Sequence, residues 1–376
     1  MNPKYMELQR EGNPLYVRPE RLPWLAEVDV IVFDCDGVLL DERGSYSRTV
    51  AWVTSALVEA FTGVKLPEAL FDERLNFAYK RTGGMNSDWD LTYALVMKML
   101  ASSPEADEID ELAQRSLDID DMSRRLRFIE ENRVEAGIPL NGLYDDLLSF
   151  AEKLDASGVK SVDAHLHLPM KGVKQALGHP GVVGKSIIST MFEEVFSGAQ
   201  LFEEAFGVPA RFTGAQTGYV ENERVVVTDE TLDQLEEIIG GARFGIASGS
   251  QANTARHALG ATLGRFSPLA QAWQDDVEQA EKATGRSSLS KPNPFLLTRA
   301  AEPYQPITRA LYAGDTIADM LTAERAGDRY LFAGVYGCVA ASDEARQAFL
   351  KAGCDVVAHS VNDLPTILRA ARRGSP

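Results

Sequence analysis

The chain has 376 residues, 45% of them hydrophobic, and carries 55 Asp and Glu against 38 Lys and Arg, for a formal net charge of −17. That length and apolar content support a substantial core and two compact units, while the acidic balance argues against a nucleic-acid partner, because no basic excess is available to release counterions from a phosphate backbone. Three cysteines, Cys35, Cys338 and Cys354, stand at irregular spacings that suggest a reduced intracellular protein and no disulfide framework.

The opening residues mix Pro, Arg and Glu without periodicity and read as an irregular arm over 1–24, with charges where a signal peptide needs an apolar run. No uncharged apolar stretch approaches the roughly 18 residues that span a bilayer. A soluble, cytoplasmic protein without membrane attachment is expected. Val28 to Phe33 then forms a β-branched and aromatic run, the composition of a central parallel strand buried on both faces, and it ends abruptly in Asp34-Cys35-Asp36-Gly37.

From 45 to 239 the pattern is mainly helical, with apolar residues at three- and four-residue spacing, as in SRTVAWVTSALVEAF and SDWDLTYALVMKML. Within it, the acidic segment PEADEIDELAQRSLDIDDMS reads as a solvated face or loop. Thr228 can cap the helix DETLDQLEEIIGG. Short apolar runs then alternate with helices: FGIASGS, LGRFSPL, ALYAGD, RYLFAGVYG and DVVAHS. Strand and helix alternation predicts a parallel sheet, giving an α/β core over 25–44 and 240–376 with a helical cap inserted over 45–239.

Four sites carry chemistry. Asp34 and Asp36, one residue apart at a strand end, can share a metal and a substrate, and their proximity pushes their proton affinities apart; the bland alternative is an acidic turn. Ser248, with the Gly249 backbone N–H and the following helix start, can hydrogen-bond an anionic oxygen, or simply cap the helix. Lys291 is held near a helix start by Pro292 and Pro294, where a lone lysine is ordinarily a surface charge. Asp315 and Asp319, four apart at a turn entering a helix, suit a hard cation, although Asp315 can equally be a cap.

This ordered set resembles the haloacid dehalogenase-like hydrolases, specifically the phosphoglycolate phosphatase-like branch with a cap inserted after the first core strand; the resemblance covers the core closely and the cap loosely. It implies a Rossmann-like three-layer core with a parallel sheet plus a mainly α-helical cap, Mg²⁺ as cofactor, and a small phosphorylated metabolite as substrate. It further implies that Asp34 attacks phosphorus, that Asp36 protonates the leaving oxygen and then activates water, and that Ser248 and Lys291 hold the phosphoryl oxygens. Asp34, the Asp36 carbonyl oxygen and Asp315 would hold Mg²⁺, with Asp319 assisting directly or through water. Dehalogenases resembling this family lack the second acid, so Asp36 argues for phosphoryl chemistry. Sugar-phosphate mutases keep it and stay open as an alternative, as does, more remotely, a non-catalytic binding or regulatory protein.

Substrate choice is expected on a cap loop closing over the phosphate site. Arg81, Asn86 and Trp89, in the segment RTGGMNSDWD, supply a cation, an amide and an indole among flexible glycines; Gly83, Gly84 and Ser87 could equally be helix caps. About 80 extra residues, roughly 101–180, enlarge the cap beyond its usual size. Within them Asp163, His165 and His167 would put three potential ligands for a second metal on one strand face, with surface or satisfied histidines the commoner reading. Long helical caps can also make dimer contacts, which leaves a homodimer open.

Overall fold

The computed structural model describes residues 5–8, 13–85, 87–214, 217–285, 288–339 and 341–374. The chain divides into two units, Met1–Glu42 with Glu223–Pro376, and Arg43–Asn222. In chain order the strands are β1 (Met6–Leu8), β2 (Leu15–Val17), β3 (Val28–Phe33), β4 (Leu40–Asp41), β5 (Arg224–Val225), β6 (Phe244–Ala247), β7 (Gln271–Ala272), β8 (Arg309–Gly314), β9 (Tyr330–Val335) and β10 (Val356–Ala358).

The first unit is built on one mostly parallel sheet of spatial order β1-β2-β10-β9-β8-β3-β6-β7, with β4 and β5 as a separate ribbon. β3 pairs in parallel with β8 on one side and β6 on the other, so its residues alternate between two covered faces. Val30 and Val32 pack with Leu296, Leu297 and Ala323, whereas Ile31 and Phe33 pack with Leu232, Leu235 and Ile367. Helices therefore flank both faces in a three-layer α/β arrangement, and each fully buried Val, Ile or Phe contributes roughly 1.5–3 kcal/mol. All six parallel strands, β10, β9, β8, β3, β6 and β7, point their carboxyl ends to one edge, where a ligand crevice is expected.

Three expectations need correction. The opening arm is not irregular throughout: β1 and β2 form an antiparallel pair, and β2 adds antiparallel to β10, burying Leu15 and Val17 completely. The insertion ends earlier than 239, because β5 pairs with β4 and the helix Asp229–Ile239 buries Leu232 and Leu235 in the same cluster as Ile31 and Phe33. Its start likewise shifts to Arg43. The run LGRFSPL is not a strand but short 3₁₀ turns at Gly260–Arg265 and Pro268–Ala270, with Phe266 set edge-on to Phe33 at 5.8 Å; the pairing strand is the short β7 that follows.

The second unit is helical apart from its loops. Helix Tyr46–Thr62 packs on Asp88–Ala101 and on Ile187–Ser197, where the Tyr46 ring stacks 4.3 Å from that of Phe196. The acidic segment contains the helix Ala106–Arg115, which buries Ile109, Leu112 and Ala113 and turns Asp107, Glu108 and Glu111 to solvent. Asp163 and His165 lie in the helix Val159–His165, with His167 beyond its end, so the expected shared strand face does not form. Asp163 instead pairs with Lys174 and accepts from the Tyr93 hydroxyl at 2.6 Å, and His165 Nδ1 lies 2.9 Å from the Ser161 carbonyl oxygen. No described helix is long and apolar enough to cross a membrane.

One buried carboxylate ties this unit together. Glu194, fully buried, accepts from the backbone N–H groups of Arg211, Phe212 and Thr213 at 2.6–2.8 Å and from the Thr213 hydroxyl. Glu194→Ala would strand three backbone donors, a loss of about 3 kcal/mol or more. A chemical-denaturation midpoint equal to that of the unaltered chain would refute the pinning role.

Candidate active site

The site stands at the carboxyl edge of the sheet, within the first unit. Asp34 is the residue after β3, and its backbone N–H still donates to the Ala313 carbonyl oxygen at 2.8 Å, so the strand ladder fixes the nucleophile candidate's Cα. The neighbouring Cys35 N–H donates to Asp34 Oδ1 at 2.8 Å and sets the carboxylate's rotation. Gly37 follows with φ +71°, and a Cβ there would stand 2.3 Å from Asp315 Oδ2. Glycine is therefore required both for the turn and for the approach of Asp315.

Lys291, just ahead of the helix Phe295–Ala301, places its ammonium 2.8 Å from Asp34 Oδ2 and 2.8 Å from Asp319 Oδ1. Asp319 is completely buried and has no acceptor position to spare. Its Oδ1 also accepts from the Tyr312 hydroxyl at 2.8 Å, and its Oδ2 accepts from the Thr316 N–H at 3.1 Å and the Thr316 hydroxyl at 2.5 Å. A carboxylate offers about four lone-pair sites, and here all are taken. Asp319 thus closes a capping box at the start of the helix Ile317–Ala326 and holds Lys291, with a carboxylate oxygen that also lies near those of Asp34 and Asp315.

Carboxylate oxygens of Asp34, Asp315 and Asp319 come within 4.8 Å of one another. Burial pushes the Asp34 carboxyl up to about 7, with Lys291 pulling against it and Asp319 adding to it. Burial and the charges of Asp319 and Asp34 lift Asp315 well above the carboxylate range. Asp319 goes the other way: although burial opposes it, the Lys291 charge and the hydrogen bonds from Lys291, Thr316 and Tyr312 hold it low. Lys291 is itself penalised by burial, but Asp319 and Asp34 raise it above the ordinary ammonium value. Proton affinities driven apart in one cluster mark a functional site. Three carboxylates against one ammonium leave a surplus of negative charge on an all-oxygen donor set, which fits a hard divalent cation.

Asp36 points elsewhere. Its Oδ2 accepts from the Ser250 hydroxyl, and Ser250 in turn joins Ser248, with the two hydroxyl oxygens 2.9 Å apart and the Ser250 N–H donating to Ser248 Oγ at 3.1 Å. Ser248 directly follows β6, and its N–H donates to the Ala272 carbonyl oxygen of β7 at 3.0 Å. Gly249 between them is exposed, with open space where a side chain would be.

The structure thus gathers Asp34, Asp36, Ser248, Gly249, Lys291, Asp315 and Asp319 at the carboxyl ends of β3, β6 and β8 and the loop before Phe295. Arg81 and Trp89 belong to the other unit. There Gly83 takes φ +78° after the helix Glu73–Lys80, Ser87 caps Asp88–Ala101, and the Trp89 indole N–H donates to Glu193 at 2.8 Å. Asn86 lies outside the described residues. Ser250, Tyr312 and Thr316 were given no role by the sequence reading. The Thr316-x-x-Asp319 spacing was a visible capping-box signal for one of them, whereas nothing local marks the other two.

No protein-family model matches this chain, and no curated protein does. A crystal structure solved as a structural-genomics target superposes over 91% of this chain and 98% of its own, at a TM-score of 0.64 and 20% identity, and establishes the shared fold. A candidate phosphoglycolate phosphatase from Lactobacillus plantarum (TM-score 0.41, 12% identity, 90% of this chain and 99% of that one) is more distant. So is a candidate haloacid dehalogenase-like hydrolase from Bacteroides fragilis (TM-score 0.40, 15% identity, 90% and 99%).

Proposed function

We propose that this chain is a Mg²⁺-dependent phosphatase of the haloacid dehalogenase-like superfamily, hydrolysing a small phosphorylated metabolite through an aspartyl-phosphate on Asp34. The observation that carries the reading is the convergence of Asp34, Lys291 and Asp315 with the Asp36–Ser250–Ser248 chain at one edge of the sheet. Asp34 attacks phosphorus; the bond from phosphorus to the leaving oxygen breaks, and Asp36 delivers a proton to that oxygen. Water then attacks the aspartyl-phosphate while Asp36 takes its proton, releasing inorganic phosphate and restoring the Asp34 carboxylate. Lys291, Ser248 and the Gly249 N–H hold the phosphoryl oxygens in both halves. Asp34, the Asp36 carbonyl oxygen and Asp315 would hold Mg²⁺, which supplies neutralisation of the charge on the transferring group.

The direct test is phosphate release from a panel of phosphorylated metabolites with Mg²⁺ present or chelated. Release that needs the metal supports the reading. Isomerised product without free phosphate identifies a mutase instead, and silence across the panel removes the phosphatase.

Metal binding has a pH signature of its own. An acid raised from 3.8 to about 7 in the folded chain, as Asp34 is, contributes stability that is present at the acid end and lost as pH rises through about 7. A cation that binds the ionised cluster offsets that loss. The gain in Tm on adding Mg²⁺ is therefore expected to grow between pH 5 and pH 8, and an equal gain at both ends would count against these ligands.

A further inference from the structure

We infer that Ser250 is a positioning residue, which orients the Asp36 carboxylate and links it to the phosphoryl-binding hydroxyl of Ser248. The inference rests on the phosphatase reading above and concerns a side chain to which that reading gives no step in the reaction.

Ser250 is nine-tenths buried, and its backbone is fixed on both sides: its N–H donates to Ser248 Oγ at 3.1 Å, and its carbonyl oxygen accepts from the Gln274 N–H at 3.1 Å. The hydroxyl is aimed before any ligand arrives, and its target is Asp36 Oδ2. A serine has one hydroxyl proton. With that proton on Asp36, the hydrogen bond between the two serines is donated by Ser248, so the three side chains form a directed chain, Ser248 to Ser250 to Asp36.

The need for such a guide follows from the spacing. Asp34 and Asp36 are separated only by Cys35, and Lys291 is already shared between Asp34 and Asp319. A second carboxylate beside that cluster meets like charge in front and a tempting ammonium beyond. The Ser250 hydrogen bond holds the Asp36 carboxylate to the segment that follows β6, beside the phosphoryl-binding hydroxyl of Ser248. A serine at 250 also reports on the phosphoryl pocket: once a phosphoryl oxygen takes the Ser248 proton, Ser250 loses a donor while keeping its own hold on Asp36. Hydrogen bonds in such chains strengthen one another, so ligand binding at Ser248 and the orientation of Asp36 are linked through one hydroxyl.

The test uses the full chain and the best substrate from the phosphate-release panel, at saturating Mg²⁺. Ser250→Ala is expected to lower kcat by about tenfold to a hundredfold, the range usual for removing a group that orients a working ligand, with KM changed by less than about threefold. Ser250→Thr, which keeps the hydroxyl, should recover most of the rate. The deciding measurement is the cycle with Asp36→Asn: if Ser250 acts through Asp36, adding Ser250→Ala to Asp36→Asn costs little more. Full, additive losses in the double variant, or an undiminished kcat in Ser250→Ala, overturn the inference while leaving the phosphatase standing. An unaltered chain that releases no phosphate from any panel member overturns both.

Discussion

Asp34→Asn is expected to lose phosphate release by about 10⁴-fold or more while the protein stays folded and its metal-free Tm at pH 8 does not fall. The amide matches the carboxylate in shape but offers one acceptor oxygen where the carboxylate offers two, so it keeps either the Cys35 N–H bond or the Lys291 contact, and it cannot form and release an acyl phosphate. Removing a covalent nucleophile forfeits the whole two-step route, so the loss approaches what is seen when a catalytic unit is broken outright. The stability half of the expectation comes from the charge: burial first, with Asp319 adding and Lys291 opposing, raises the Asp34 carboxyl to about 7. At pH 8 the folded chain therefore holds an ionised group that the site itself disfavours, and a neutral isostere relieves that cost. Residual release within about tenfold of the unaltered chain would assign the nucleophile elsewhere. A fall in Tm of several degrees would mean that Asp34 is chiefly the partner that keeps Lys291 in place.

What was legible in the sequence follows from how local each cause is. β3 announced itself because a strand buried on both faces must be apolar at every position, and Val28 to Phe33 is so except at Asp29, which reaches the sheet's other end to pair with Arg243. The site residues were legible because each sits where a strand ends or a helix begins, a position set by local composition. β1 and β2 were not, since three-residue strands are too short to show a period of two and β2's partner β10 lies some 340 positions away in the chain. The helix Asp229–Ile239 was recognised as a helix, yet its apolar face reads the same whichever core it covers. Its packing with Ile31 and Phe33, together with the pairing of Arg224 with Asp41, shows to which unit it belongs. Asp163, His165 and His167 failed for the opposite reason: a two-residue spacing implies a common face only on a strand, and the segment is a helix up to His165. Ser250 was invisible because its partner Asp36 is 214 residues away and serine after a strand is ordinary turn chemistry.

Lys291→Met carries the largest expected cost in stability, about 3–5 kcal/mol at pH 8, together with loss of activity. The ammonium bridges Asp34 and Asp319 at 2.8 Å each and lies 5.6 Å from the centre of the Tyr312 ring. Methionine fills the same space with none of the charge, and breaking a buried pair by removing one partner leaves uncompensated carboxylates in the interior. Those carboxylates respond by holding protons more tightly, which fixes the sign of the pH dependence: an acid whose folded pKa is raised gives stability at low pH that is lost as pH rises. The deficit of Lys291→Met should therefore be smallest near pH 5 and grow toward pH 8, and Mg²⁺ should recover part of it at pH 8. Lys291→Arg keeps a charge but replaces a compact ammonium with a planar fork that does not fit between two single oxygens, so it should restore much of the stability and little of the rate. Asp319→Asn in the Lys291→Met background should return part of the lost stability, because it removes the most deeply buried of the stranded charges. Denaturant midpoints for the unaltered chain and the three variants at pH 5 and pH 8 measure this directly; a Lys291→Met midpoint equal to that of the unaltered chain at pH 8 would mean the cluster is held by its hydrogen bonds, with the ammonium dispensable to the fold.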